Sequence, residues 1–222
     1  MSIPRSASRA RMALLLLLLH APAHSAGQPP AAAASCLACH GAQGEGMTAA
    51  GYPRLAGLPA QYISDQLNAY IDGRRVNAIM SGMAKPLSAA QIQAVADYFS
   101  ALRPHTTPGS PPTDAAQARL GQQIAMHGVW EASIPACFSC HAADGSGIPP
   151  AFPPIVGQPA AYVEAQIKAW QNGTRQGKPD DLANNLMHSV STRMTEPQIK
   201  AVAAWLAALP STGVSSDTPI KP

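Results

Sequence analysis

The sequence is poor in aromatic residues and in cysteine. Phe, Trp and Tyr together make up 5% of the 222 residues, and there are four cysteines. Burial of apolar area provides most of the free energy that stabilises a small domain, and large side chains supply much of that area. So few aromatic residues therefore predict a thin apolar core.

Long hydrophobic runs are also missing. Residues 12–19 are strictly apolar, but this run is far shorter than the roughly 20 residues that span a bilayer. Three arginines precede the run and small residues follow it, which is the order found in a cleavable secretory signal peptide. We therefore expect residues 1–26 to be a signal peptide, cleaved after Ala23 or Ala26, and the mature protein to be periplasmic.

The mature chain has no excess of either charge sign. Of the 15 Lys and Arg residues, three lie in the expected signal peptide, so 12 basic and 12 acidic side chains remain and the formal charge of +3 disappears. No cluster of basic residues is present to contact phosphates, so the sequence gives no support to nucleic-acid binding.

Alternating strand patterns are absent too, and the sequence predicts an all-α fold. Capping boxes at Ser88 and Thr195 begin apolar-periodic helices that extend to Leu102 and Leu209. Two middle helices are expected over 61–71 and 161–170, and a longer one over 113–129. Loops are marked by prolines, namely Pro53, Pro59, Pro153 and Pro159.

The feature that stands out is a Cys-x-x-Cys-His motif that occurs twice and uses all four cysteines. It comprises Cys36, Cys39 and His40, and again Cys137, Cys140 and His141. This spacing is the attachment signature of a c-type haem. Two thiols three positions apart can form thioethers to one porphyrin, and the adjacent imidazole becomes the proximal iron ligand. We therefore predict two covalently bound haem c groups.

Three other interpretations of the cysteines are weaker. A zinc ribbon places its two pairs about 15–20 residues apart, whereas these pairs are about 100 residues apart. A thioredoxin-type pair would accompany a strand–helix–strand pattern, which the sequence lacks. Disulfides are compatible with export, but they would not explain a histidine directly after each pair.

The mature chain repeats itself with a period near 100 residues. Residues 52–57 correspond to 152–157 at an offset of 100, and the last helices correspond at an offset of 107. A period of this length indicates duplicated domains. We expect domains at 27–104 and 113–210, a polar, proline-rich linker at 105–112 and a flexible tail at 211–222. A haem would complete the thin core of each domain. The first copy has room for at most a turn or two of helix before Cys36.

The repeat also selects candidate distal iron ligands. Met80 and Met187 correspond at the offset of 107, whereas Met83 and Met194 correspond to Val190 and Leu87. A methionine opposite the proximal histidine fills the sixth coordination position of the iron and raises its reduction potential. Met80 and Met187 are therefore predicted to be the distal ligands, with His188 as the remaining alternative for the second haem. His105 and His127 have no counterparts in the other copy.

On these motifs the chain resembles the dihaem cytochromes of the cytochrome c4 type, which contain two class I cytochrome c domains in tandem. The resemblance implies that the carbonyls of Pro53 and Pro153 contact the proximal histidines. Arg74 or Arg75, and Arg175, are candidates to pair with haem propionates, and solvent exposure is an equally good expectation for them.

The expected function is electron transfer without catalysis. The resemblance suggests a quinol-oxidising complex as donor and a terminal oxidase as acceptor, and it leaves a peripheral position at the membrane open. One alternative is the cytochrome subunit of a periplasmic dehydrogenase that oxidises a substrate such as sulfide or an alcohol. Another is a dihaem enzyme or gas sensor with one open iron.

Overall fold

The structure, a computed structural model, describes residues 28–104, 112 and 114–211. The expected signal peptide therefore lies outside the described residues. So do the linker and the tail, apart from residues 112 and 211. The domain boundaries drawn from the sequence stay predictions.

The described backbone is helical, as the sequence predicted. It contains three short 3-10 segments and four isolated β-bridges, and none of the described residues forms a strand. The α-helices are α1 (Ala31–His40), α2 (Ala60–Ile71), α3 (Ala78–Ala84), α4 (Ala89–Ala101), α5 (Ala115–His127), α6 (Ala160–Gln171), α7 (Leu182–Ser191) and α8 (Glu196–Ala208).

The helix ends follow the local chemistry of the chain. Both expected capping boxes form: Ser88 caps α4, and Thr195 caps α8. Helix α5 is shorter than the predicted 113–129, because the carboxylate of Asp114 caps its first turn and Gly128, with φ of 75°, ends it. Helices α3 and α7 have no counterpart in the sequence prediction.

The helices form two bundles with separate cores. In the first, α4 packs against α1 and α2, and α2 also contacts α3. In the second, α8 packs against α5 and α6, and α6 contacts α7. The α5–α8 crossing is tight at Gly121, where an added Cβ would lie 2.7 Å from the Cβ of Trp205. No helix among the described residues is long and apolar enough to cross a membrane.

Each core is built around the last helix of its bundle. Ile92, Val95 and Phe99 of α4 are at most 4% exposed, and in α8 Ile199, Val202 and Leu206 are at most 3% exposed. These are the positions that the repeat aligned, so the apolar periodicity of the sequence located both cores correctly.

The two bundles are joined by main-chain hydrogen bonds. Val76 N–H donates to the carbonyl of Thr174 (2.7 Å), and Gln176 N–H donates to the carbonyl of Arg74 (2.8 Å). An isolated antiparallel bridge between Arg75 and Arg175 lies at the centre of this seam. The segments that follow the two middle helices therefore pair with each other across the domain boundary.

Candidate haem sites

The two motifs occupy different local structures. In the first copy, α1 runs through Cys36 and Cys39 and ends at His40, with five helical residues before the first cysteine. This matches the expectation of a turn or two. In the second copy, the motif begins in a 3-10 turn, Cys137–Ser139, which α5 contacts. None of the four cysteines forms a disulfide, and all four are partly exposed.

The first thiol of each motif lies in surroundings that favour a neutral sulfur. Burial raises the pKa of Cys36, and it raises the pKa of Cys137 to about 11. A buried thiolate is therefore disfavoured. A thioether carries no charge, so the same burial does not oppose covalent attachment of a haem.

Both motif histidines are held by a proline carbonyl, as the resemblance implied. Nδ1 of His40 lies 2.8 Å from the carbonyl oxygen of Pro53, and Nδ1 of His141 lies 2.8 Å from that of Pro153. A carbonyl can only accept, so Nδ1 carries the hydrogen. Burial lowers the pKa of both imidazoles against the opposing effect of these hydrogen bonds. In the neutral tautomer Nε2 keeps its lone pair, which is the form that binds iron.

In both copies, the loop that follows the motif histidine is hydrogen-bonded back to the main chain of that histidine. The carbonyl of His40 accepts a hydrogen bond from Gly46 N–H (2.7 Å), and that of His141 accepts one from Gly147 N–H (2.8 Å). The histidine is therefore fixed through its ring and its main chain in both copies.

A cavity of about 750 Å³ brings the second set of predicted site residues together. Cys137, Cys140, His141 and Met187 all line it, together with apolar side chains such as Ile155. Its size and apolar lining are those of a site for a large organic cofactor. The residues predicted from the sequence for the second haem thus share one cavity.

Two other residues of the second copy, Met194 and His188, are alternatives to Met187 as the distal ligand. Met187 itself is only partly buried. Met194 also lines the cavity, but it is 7% exposed, belongs to the second core, and its carbonyl accepts from Gln171 Nε2 (2.9 Å). His188 is exposed, and its Nδ1 lies 2.9 Å from the carbonyl of Trp170.

In the first copy, Met80 lies on α3 and packs against the first core, as Cys36 does. The side chain of Asn77 caps α3 by accepting a hydrogen bond from Met80 N–H (2.9 Å). Met83 is 38% exposed.

Buried arginines supply a further test of whether a haem fits. Arg54 is fully buried, and Arg75 and Arg175 are each 5% exposed, so solvent exposure was the wrong expectation for the latter two. Nε of Arg54 and Nε of Arg175 have no hydrogen-bond partner. Arg74, by contrast, pairs with Asp72 (2.7 Å). Buried guanidinium groups with free donors suit a cofactor that carries carboxylates, and haem carries two propionates.

Sequence reasoning missed Arg54. Its guanidinium donates to the carbonyls of Ala56 and Val156, and burial lowers its pKa to about 10, which leaves it charged at neutral pH. The corresponding residue of the second copy is Pro154. Because the repeat marks only shared residues, no signal in the sequence pointed to Arg54.

Comparisons with known proteins agree with this architecture. The Cytochrome c family model matches residues 25–103 and 118–210. A thiosulfate dehydrogenase electron acceptor from Thiomonas intermedia (strain K12) is 57% identical over 86% of this chain and 85% of its own length.

Two solved structures are also similar. Reduced cytochrome c4 from Pseudomonas stutzeri has a TM-score of 0.70 at 30% identity, covering 80% of this chain and 94% of that chain. Thiosulfate dehydrogenase from Marichromatium purpuratum has a TM-score of 0.71 at 38% identity. This match covers 79% of our chain and only 36% of the longer dehydrogenase chain.

Two helical bundles, each with a Cys-x-x-Cys-His motif and a carbonyl-bound histidine, define a c-type cytochrome with two haems. The chain belongs to the cytochrome c family, and within it to the dihaem cytochromes c4. It is an electron-transfer protein with two covalently attached haem c groups and redox proteins as partners.

Proposed function

We propose that this cytochrome accepts electrons from a dehydrogenase that oxidises thiosulfate. The observation that carries the proposal is the 57% identity, over 86% of the chain, with a thiosulfate dehydrogenase electron acceptor. The similarity to part of a solved thiosulfate dehydrogenase supports the same donor. The sequence had raised a dehydrogenase as an alternative partner, and we now favour it over a quinol-oxidising complex as the electron donor.

We assign the iron ligands as His40 with Met80 and His141 with Met187. Support for the second pair comes from the cavity that His141 and Met187 both line. Support for the first pair comes from the repeat and from the packing of Met80 against the first core. The four motif cysteines are assigned as the thioether sites. Each haem supplies a one-electron couple when it is bound.

The chain's own residues hold the two sites ready for this role. The carbonyls of Pro53 and Pro153 keep both imidazoles in the tautomer that binds iron. If Met80 and Met187 bound the irons together with His40 and His141, no coordination position would be left for a substrate.

The protein is proposed to act in the periplasm after removal of residues 1–26. The three arginines, the apolar run 12–19 and the small residues that follow support this location. Mass spectrometry of the exported protein tests it: an N-terminus at residue 24 or 27 is expected, and a retained residue 1 would contradict it.

A terminal oxidase remains our candidate for the acceptor.

Reduction in a reconstituted mixture tests the donor. Oxidised holoprotein is mixed with thiosulfate and a thiosulfate dehydrogenase, and the haem absorbance is followed. Reduction of both haems that requires the dehydrogenase and thiosulfate together is expected. The proposal is wrong if the mixture leaves the haems oxidised while a quinol-oxidising complex with quinol reduces them, the donor suggested by the cytochrome c4 resemblance.

A variant with one haem sharpens this assay. Replacing Cys137 and Cys140 by Ser should leave one covalent haem and halve the number of electrons accepted per chain. The matched pair, Cys36 and Cys39 replaced by Ser, should do the same. A double variant that still carries two covalent haems would contradict the assignment of the attachment sites.

A further inference from the structure

Two arginines, two glutamines and two tyrosines form a crossed cluster at the seam between the domains. Each guanidinium is held by the tyrosine of the other domain: Arg75 Nη2 donates to Tyr162 Oη (2.9 Å), and Arg175 Nη2 donates to Tyr62 Oη (3.0 Å). We call this group the crossed arginine cluster, and its members are Tyr62, Gln66, Arg75, Tyr162, Gln166 and Arg175.

The glutamine oxygens bridge the two arginines. Gln66 Oε1 accepts from Arg75 (2.8 Å) and from Arg175 (3.0 Å). Gln166 Oε1 accepts from Arg175 (2.9 Å) and from Arg75 (2.6 Å). Two positive charges are therefore held close together by neutral oxygens contributed by both domains.

The cluster has no carboxylate of its own. The ion pairs among the described residues involve Arg74, Lys168 and Lys200, and none involves Arg75 or Arg175. Burial of two like charges without a protein carboxylate is costly, and the propionates of a bound haem are the carboxylates that would offset it. A cost of this kind, in a seam that apolar residues of similar size could fill, points to a role beyond packing.

Arg75 is connected to the first haem site. Its guanidinium lies 4.7 Å from the ring centroid of Tyr70, which belongs to the first core together with Met80. The carbonyl of Tyr70 accepts a hydrogen bond from Ser81 Oγ (3.1 Å), and Ser81 is the residue after Met80.

Arg175 has the equivalent connection to the second haem site. Its guanidinium lies 3.9 Å from the ring centroid of Trp170, whose carbonyl contacts Nδ1 of His188, the residue after Met187. All six members of the cluster also line the cavity that contains His141 and Met187.

We propose that the crossed arginine cluster is an electrostatic element shared by both haem sites, and that its two buried charges raise both reduction potentials. Reduction removes one positive charge from an iron site, so a nearby buried cation favours the reduced state. Because Tyr70 and Trp170 connect the cluster to both haem sites, its charges act on both. The inference does not depend on which protein donates the electrons.

Reduction potentials of both haems in holoprotein variants test the proposal, with covalent haem content as the check on folding. Arg75→Gln and Arg175→Gln should each lower both potentials, and Arg75→Lys and Arg175→Lys should restore them toward the original values. The shifts should persist at high salt, because buried charges are screened little. Arg74→Gln is the matched control: it removes a more exposed, paired neighbour, and its smaller shift should fade with salt.

Tyr62→Phe and Tyr162→Phe separate charge from packing, since they remove the cross-domain hydrogen bonds but keep both guanidinium groups. They should lower thermal stability and leave the potentials nearly unchanged. Lysine variants that shift the potentials as far as the glutamine variants would overturn the proposal. So would glutamine variants with unchanged potentials, or phenylalanine variants that shift them as far as Arg75→Gln does.

Discussion

Arg54 and Gln158 exchange two hydrogen bonds across the domain seam. Arg54 N–H donates to Gln158 Oε1 (2.9 Å), and Gln158 Nε2 donates to the carbonyl of Arg54 (3.1 Å). Arg54 directly follows Pro53, whose carbonyl holds the first proximal histidine. A side chain of the second domain therefore supports the loop that orients His40, the ligand proposed for the first haem.

Replacing Gln158 by Leu, the residue that the first copy has at position 58, should destabilise the protein. The buried N–H and carbonyl of Arg54 would lose their partners, and each unsatisfied group costs about 1–3 kcal/mol. We expect a loss of about 2–6 kcal/mol in the free energy of unfolding, measured by denaturant titration of the holoprotein. Gln61→Leu is the control, because Gln61 bonds to Asp65 at the surface. Equal losses for both variants would contradict the support role of Gln158.

Removing the cap of α3 should weaken the binding of Met80, the proposed distal ligand, to the first iron. Asn77→Ala deletes the side chain that accepts from Met80 N–H and should cost about 1 kcal/mol of stability. Because α3 carries Met80, the variant should also lose the ferric Met-to-iron absorption of one haem at lower denaturant than the original protein. Ser88→Ala removes the cap of α4 at a similar cost and should leave that absorption unaffected at the same denaturant concentration. If Ser88→Ala weakened the absorption as much as Asn77→Ala, the cap would have no specific role.

Met187 and Met194 should behave differently when they are replaced. Met187→Ala should remove half of the Met-to-iron absorption and lower one potential, because a thioether that favours ferrous iron is gone. Met194→Leu is a nearly volume-conserving change in the core and should cost under about 1.5 kcal/mol with an unchanged spectrum. The reverse pattern would make Met194 the ligand. Unchanged spectra in both variants would point to His188.

Tyr70 should make stability depend on alkaline pH. Burial raises its pKa to about 12, against the opposing charge of Arg75, whereas the pKa of an unfolded tyrosine is about 10. Between these values the folded state keeps a proton that the unfolded state has lost. The contribution of Tyr70 to the free energy of unfolding is therefore complete below pH 10 and is lost as pH rises toward 12.

Tyr70→Phe should remove this part of the alkaline dependence, on the order of 2 kcal/mol across that range. Denaturant titrations at several pH values measure it. Tyr98→Phe is the control, since Tyr98 is a partly buried tyrosine whose ring centroid lies 5.1 Å from that of Phe99. A Tyr70→Phe variant with the same pH slope as the original protein would contradict the prediction.

Much of the architecture could be predicted because it repeats. The capping boxes at Ser88 and Thr195 and the apolar positions of α4 and α8 are local signals, and each occurs twice at one offset. The motif cysteines and histidines are recognisable because thioether attachment needs that spacing. The choice of Met187 over Met194 also relied on the offset, and it stays a prediction, because both side chains line the cavity with His141.

The seam could not be predicted, because it depends on contacts between residues about 100 positions apart. Arg54 and Gln158 differ from their counterparts, Pro154 and Leu58, so the repeat concealed them. Arg75 and Arg175 had counterparts, but a charged residue after a helix is usually exposed. Helices α3 and α7 were missed as well. The seven-residue α3 is too short for a clear apolar period.

The most direct test of the carrier assignment is addition of carbon monoxide to the fully reduced holoprotein at neutral pH. Two irons that are each closed by histidine and methionine leave no position for the gas, so the absorbance spectrum should not change. Fast, stoichiometric binding at either iron would contradict the account and favour an enzyme or gas sensor with an open haem.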